Sequence, residues 1–552
     1  MLMSSPFTSK FGTNYAAEGP EVEQIQLLLA EPTTKLHALE AEITQYKQKI
    51  RALKLERAEL ITFINGHKAL LSPIRRMPRD VMEEIFLACL PTLRNSAMSA
   101  KDAPLLLGRV CSSWRTISLS TPRLWAGIHI SQPSMIVDIL PPEDRTRIWC
   151  EQALVTLRDA VLQWLSRSGE CPLSISVQSS VYPVTTDVFG PNKAGILHML
   201  LPFAPRWEHL EVSGCSPADL LSLPSFTPGD LQCLKSIDID EGFLRSNDDD
   251  IPLWHTLSIL GAENLTSAIL SGNQFDPLLL PLPWGNLVHL TIHKNAAPPI
   301  PPFTMLTTKA ILTRCNSLRT LRLWINTAAN DMDAAAPLVH DSLELLELDC
   351  VGHVWTIARE LCCHLRLPNL RAFIAKGQAT LGEPVDDTYV NLQPFIEAAP
   401  LLEHVELFMD MFTKRSLREL LLALPASVRL LHLNRGGYIT GTALVDNDIL
   451  SLFSAPLDGS TSVACPGLEI FGIFHAGSFS DEDLAVFVGQ RTENTNCRKL
   501  KDLAVRFERV RRVDIIPEIQ SYIDDGLHVD LGYYQESQLS LLPFSGLRIE
   551  LP

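Results

Sequence analysis

Cys362, Cys363 and His364, with His353 nearby, come nearest to metal-binding chemistry in this sequence. Thiolate and imidazole suit zinc, but structural zinc sites space their ligands so that each can reach one ion. Adjacent cysteines lack that spacing, and their segment reads as a helix lying against a core. The acidic run from Asp238 to Asp250, DIDEGFLRSNDDD, offers the oxygen ligands that calcium prefers. It lacks the alternating D-x-D-x-D-G order, so it reads as a solvated loop. No GxGxxG, P-loop, GxSxG or HExxH motif occurs. No cysteine stands out in the activated, partly exposed setting that a thiolate nucleophile needs. The expectation is a chain that is not an enzyme: no catalytic residue, no metal and no cofactor, with recognition as its chemistry.

Recognition needs apolar and aromatic anchors on rigid elements. One set lies between Leu71 and Trp125. Pro78 sits where a helix starts, and its missing N–H costs nothing there. Asp80, Glu83 and Glu84 bring negative charge to that helix N-terminus. Val81, Ile85 and Leu90 recur on roughly one face, Met82, Phe86 and Leu87 widen it, and Pro91 ends the helix. Asp102 and Pro104 open a second apolar run carrying Leu107, Val110, Cys111 and Trp114.

Three of these groups fall in an ordered series: Met77-Pro78, Ile85-Phe86, and Val110-Cys111-Ser112-Ser113-Trp114-Arg115. In that order they resemble an F-box, with a polar stretch, Arg94 to Asp102, longer than the family's usual turn. The resemblance implies a small all-α unit over 71–125 that binds a Skp-type adaptor, and through it a cullin of a ubiquitin ligase. The residues it implies for Skp binding are Met77, Pro78, Val81, Ile85, Phe86, Leu90, Leu107, Val110, Cys111 and Trp114. Two blander readings stand beside it. In one, the hairpin's Phe86 and Trp114 fill only its own core; in the other, it is the N-terminal cap of a repeat scaffold with no ubiquitin role.

A second set follows from a repeat. Apolar residues at offsets 0, 3 and 5 return roughly every 20–30 residues, with a few longer steps. The series runs Trp207-Leu210-Val212, Leu234-Ile237-Ile239, Leu265-Ala268-Leu270, Leu287-Leu290-Ile292, Leu318-Leu321-Leu323 and Leu343-Leu346-Leu348. Leu370-Phe373-Ala375, Leu402-Val405-Leu407, Val428-Leu431-Leu433, Leu468-Phe471-Ile473 and Leu500-Leu503-Val505 complete it. The pattern resembles the leucine-rich repeat and implies an irregular α/β solenoid over 126–552. The family's Asn/Cys position is filled by Cys215, Asn273, Asn295 and Asn326 and lost in the C-terminal half, so the backbone groups there need other partners. Strand alternation aims His293, Arg322, Trp324, Glu347, Phe408 and Phe474 into the hollow, as a surface for a protein substrate. A register slip of one residue would bury them instead.

The remainder frames these parts. Residues 1–32 are expected to be disordered, with Pro32 interrupting an early helix. Residues 33–67 carry a heptad seam: Leu36, Ile43, Ile50 and Ile64 at one position, with Arg57 as its exception, and Leu39, Tyr46, Leu53 and Leu60 at the other. That seam fits a coiled-coil homodimer or a helix folded back on its own chain, with Asn65-Gly66 as its stop. A long helix is expected over Ile148 to Ser168, capped by Gly169, and a strand over Pro172 to Val177. The string WLSRSGECPLSISV resembles one in the expanded F-box-like families of mushroom-forming fungi.

The net charge of −16 argues against nucleic acid or an anionic membrane as partner. The twelve scattered cysteines fit reduced thiols. With no apolar run long enough to span a bilayer, the expected setting is intracellular, cytoplasmic or nuclear.

Overall fold

The computed structural model describes residues 5–131, 145–178, 196–215, 220, 223–241, 254–272, 275–293, 305–327, 337–352, 365–379, 392–409, 412–435, 444–454, 463–475 and 477–533. The chain forms two compact units, Met1–Ile85 and Phe86–Pro552.

The first unit is dominated by one helix, α1 (Pro20–Leu70). It begins well before residue 33 and runs through Pro32, so the expected disorder up to 32 and the break at Pro32 are both corrected. An interior proline costs about 3 kcal/mol. The helix-forming run on either side of Pro32 carries the helix past it. The helix also passes Asn65-Gly66, since an interior glycine costs only about 1 kcal/mol. Helix α2 (Arg79–Ala88) spans the boundary between the units.

In the second unit, α3 (Ser112–Leu119) and the short helical turn Pro122–Trp125 lead into a sheet. Its strands are β1 (Gly127–Ser131), β2 (Leu173–Gln178), β3 (Trp207–Cys215), β4 (Ser236–Glu241), β5 (Ser267–Ser271), β6 (His289–His293) and β7 (Thr320–Thr327). After a short β8 (Leu338–Val339) come β9 (Leu345–Gly352), a short β10 (Leu365–Arg366) and β11 (Ala372–Ala379). Then follow β12 (His404–Phe408), β13 (Leu430–Asn434), β14 (Ile470–Phe474), β15 (Asp502–Arg506) and β16 (His528–Gly532). Among the described residues the sheet has 14 strands in sequence order, with β8 and β10 paired separately. Every neighbouring pair is parallel, as in β3 with β4 or β14 with β15.

Parallel neighbours require a crossover. The described crossovers contain α4 (Arg145–Arg167), α5 (Ile196–Leu200), α6 (Met305–Arg314), α7 (Gln393–Glu397), α8 (Lys414–Ala423), α9 (Asn447–Ser451), α10 (Asp481–Glu493) and α11 (Ile516–Asp524). Those between β3 and β6 use 3₁₀ turns. The expected helix over 148–168 is α4, and Gly169 takes the positive φ of 53° that suits its cap. Ser480 and Asp483 cap α10 reciprocally, as their spacing predicts.

Every offset 0, 3 and 5 residue of the repeat series is buried. Each fully buried aliphatic contributes roughly 2 kcal/mol, but one strand and its crossover cannot bury such a face alone. Successive units therefore share one core, and the arrangement fits a repeat solenoid. β1 extends the series upstream with buried Trp125, Ile128 and Ile130. β16 extends it downstream with Val529 and Leu531 in register with Leu503 and Val505.

A polar ladder lies just before five of the strands, β5, β6, β9, β11 and β13. Asn264, Asn286 and Asn369 donate side-chain amide bonds to the carbonyls of Gln232, Glu263 and Asp341, at 2.7, 2.8 and 2.7 Å. Ser342 and Ser427 do the same to Asn316 and Pro400, at 2.9 and 3.1 Å. Each donor precedes the first apolar residue of its unit, and each acceptor lies in the unit before. These bonds satisfy carbonyls at the strand-entry edge, the end opposite the Asn/Cys position. Asn273, Asn295, residues 242–250 of the acidic run, and His353, Cys362, Cys363 and His364 with most of the helix expected over 356–365 lie outside the described residues; the last residue of that expected helix, Leu365, opens β10 instead.

Candidate functional site

Two surfaces carry the residues singled out by the sequence. The first set falls within residues 77–114, on both sides of the boundary between the units. In the first unit Met77 and Val81 are 37% and 39% exposed, Pro78 is exposed and Ile85 is half-buried. In the second unit Phe86 is fully buried and its ring packs on Trp114 at 4.9 Å, tilted by 56°. Leu107 is buried, Leu90 is half-buried, and Val110 stands 57% exposed. Phe86 and Leu107 thus present no surface to a partner, which corrects their placement among contact residues. They belong to the core of the second unit.

The Val-Cys-x-x-Trp-Arg string has a local structural cause. Cys111 is the N-cap of α3, its Sγ accepting the Trp114 backbone N–H at 3.5 Å. Arg115 donates from Nε to the Gly108 carbonyl at 2.8 Å and pins the preceding turn. Trp125 Nε1 donates to the Ser118 carbonyl at 2.8 Å, and Trp164 Nε1 donates to the Trp125 carbonyl at 3.1 Å. That chain of bonds ties α3 through the first turn of the sheet to α4.

The second surface is the sheet face opposite the apolar triplets. On β7, β9 and β11, Arg322 lies directly opposite Glu347, and Lys376, in register with Asp349, reaches Glu347 diagonally. Glu347 forms an ion pair with Arg322 at 3.0 Å and accepts a hydrogen bond from Lys376 Nζ at 2.6 Å. His293 and Asp349 lie close by: burial lowers the His293 pKa against the pull of Glu347 and Asp349, and burial raises that of Asp349 against Lys376. Trp324 lies opposite Asp349 but is only 8% exposed, so it fills the sheet face rather than offering an indole to a partner. Its ring spans more than the roughly 4.8 Å between strands, so adjacent side chains can shield it.

Farther along, Phe408 and Phe474 are half-buried on β12 and β14. Phe474 meets His432 edge-on at 5.4 Å, and His432 meets His404 at 6.4 Å. Asn434 donates to Glu406 at 2.8 Å. Gly472 makes room for this: a Cβ there would meet His432 at 2.6 Å. Burial lowers the pKa of both His404 and His432, opposed by Glu406. At the other end Glu211, Asp238 and Asp240 line β3 and β4. Burial first, then Glu211 and Asp240, push the Asp238 carboxyl up to about 6.

The sheet face therefore brings His293, Arg322 and Glu347 into one polar group with Lys376, and places Phe408 and Phe474 in an aromatic and imidazole group farther on. Lys376, His404 and Asn434 were not singled out by the sequence, although the same alternation reaches them. A separate groove of about 460 Å³ lies at the strand-entry edge, lined by Asn316, Arg319, Ser342, Glu344 and Asn369 among others. Its polar groups are already bonded within the ladder, so it reads as structural. Among the described residues no His, Cys, Asp and Glu group could hold a metal, and no helix is long and apolar enough to cross a membrane. The described cysteines are free, and burial pushes the Cys315 and Cys465 thiols up to about 12.

No protein-family model and no curated protein matches the chain. Among solved structures, the crystal structure of the Rad7 and Elc1 complex in yeast aligns with a TM-score of 0.33 and 15% identity, covering 78% of this chain and 92% of that one. A likeness at that level leaves function to the chain's own residues.

Proposed function

We propose that this chain is a substrate-recognition adaptor of a Skp–cullin–F-box ubiquitin ligase. The segment over 71–125 binds a Skp-type adaptor, and the open face of the sheet binds a protein substrate. The observation that supports this is the division of labour within the motif residues. Phe86 and Leu107 are buried, whereas Met77, Val81 and Val110 keep their apolar side chains exposed. Short helices that leave aliphatic side chains in water fit a partner surface. The role is non-catalytic: holding a substrate near the ligase raises its effective concentration there. An intracellular location accompanies this reading.

The test is calorimetry of the full chain with a purified Skp-type adaptor. The expected result is binding, weakened on the order of 100-fold by Val81→Asp with Val110→Asp, since each pair of lost apolar contacts becomes a buried charge. Both substitutions are at exposed positions, so the unfolding midpoint should stay unchanged. A folded wild-type chain that ignores the adaptor would leave a repeat scaffold whose helices only cap the sheet.

A further inference from the structure

The apolar seam of α1 is left unsatisfied in the single chain. Every residue of 33–68 is exposed. Leu36, Leu39, Ile43, Tyr46, Ile50, Leu53, Leu60 and Ile64 are each between 47 and 58% exposed, along one side of a helix of 51 residues. A regular helical stripe of this length in water calls for an occupant. The residue types say which occupant.

The first core position of the heptad holds Ile43, Ile50 and Ile64, and the second holds Leu39, Leu53 and Leu60. β-branched side chains at the first and leucine at the second favour two parallel strands over three or four. The longer helix extends the seam in phase, because Val22, Ile25 and Leu29 continue the same two positions upstream. Flanking charges decide orientation. In a parallel, in-register pair each residue before a first core position faces the partner residue five places on. Lys35 then faces Glu40 of the second copy, and Glu42 faces Lys47, both attractive. Arg57 interrupts the core at one first position, with Glu56 of the facing helix beside it. A single polar core residue sets register and strand number at some cost in stability. One contact opposes the arrangement, Lys49 facing Lys54.

We infer that α1 binds a second copy of this chain as a parallel, in-register two-stranded coiled coil. This does not rest on the adaptor reading. It would give each assembly two sheet surfaces, so a partner with two epitopes is held by avidity.

The test uses the full chain. Sedimentation at micromolar concentration should give a species of twice the 61.3 kDa monomer. Ile50→Glu with Leu53→Glu should weaken it on the order of 100-fold or more while the unfolding of the second unit is unchanged. Lys54→Glu should tighten it, by turning the one repulsive facing pair attractive. Under mild oxidation Leu39→Cys should crosslink the copies while the wild type does not, since only the parallel register brings residue 39 onto itself. A monomer, or a trimer, overturns the proposal. A dimer that Leu39→Cys fails to crosslink overturns the parallel register.

Discussion

Asp481 shows how much one buried side chain can hold. It is the first residue of α10 and has no exposed surface. Burial pushes its carboxyl up, but Arg509 and the backbone N–H groups of Val513 and Arg512, with the Tyr533 hydroxyl, outweigh that and hold it at about 2. Arg509 reaches both oxygens at 3.1 and 3.0 Å and lies over Phe507, on which Tyr533 stacks. A carboxyl depressed on folding stabilises above its unfolded pKa, near 4, and gives up that stability as pH falls toward 2. Asp481→Asn should cost about 3 kcal/mol at pH 7, and the difference should vanish near pH 2. Denaturant unfolding at both pH values measures it. Asp238 has the opposite sign. Its raised pKa means stability present below pH 4 and lost as pH rises through about 6. Asp238→Asn should therefore stabilise by about 1 kcal/mol at pH 8, after allowance for solvent screening, and by nothing at pH 4. A destabilised Asn variant at pH 8 would refute this.

At the scale of the element, the entry edge of the sheet is read off local chemistry repeated from unit to unit. Beside the amide and hydroxyl ladder runs a row of ion pairs: Glu208 with Lys235, Arg319 with Glu344, Arg371 with Glu403, and Glu469 with Lys501. These are largely exposed, so each contributes little, while wrong pairings would set like charges together. The ladder bonds are firmer. Asn369→Ala should cost about 1 kcal/mol by thermal unfolding, through loss of one amide bond. At Gly467, the corresponding position, there is no side chain to donate and the two backbones run close together, so that a Cβ would overlap the Ala426 carbonyl oxygen. Gly467→Ala should cost more, about 2 kcal/mol, because backbone rather than a side chain must yield. The sequence carried the strands plainly, since the offset 3 and 5 residues of all eleven triplets are buried strand residues. It hid the ladder, because Asn264 and Ser427 sit outside the repeat's familiar positions and look like ordinary loop residues.

Among the described residues of the second unit, each strand of the 14-stranded sheet pairs only with the strands before and after it in the sheet, which follow chain order. Stability in such an array is a sum of local units and their interfaces. Leu503→Ala, in the fully buried centre of β15, should cost about 3 kcal/mol, and the loss should be regional. Hydrogen exchange should quicken in β14 to β16 while β3 to β5 keep their protection. Uniform loss across the sheet would mean that the array unfolds as one block.

The sequence by itself determined where strands fall, which side chains they bury, where α10 is capped and that α1 carries a seam. Each of these depends on spacing within one unit, and a periodicity of two or of three and four is a local property. Only the tertiary structure decided which open-face side chains meet. Arg322, Glu347 and Lys376 are separated by whole repeats and become neighbours through parallel register alone. The same register covers Trp324 while leaving Phe474 half-open, a difference that residue type and alternation could not give. Likewise only packing showed that Phe86 is core while Val110 faces water, because both are apolar residues of one motif and burial depends on what lies beside them.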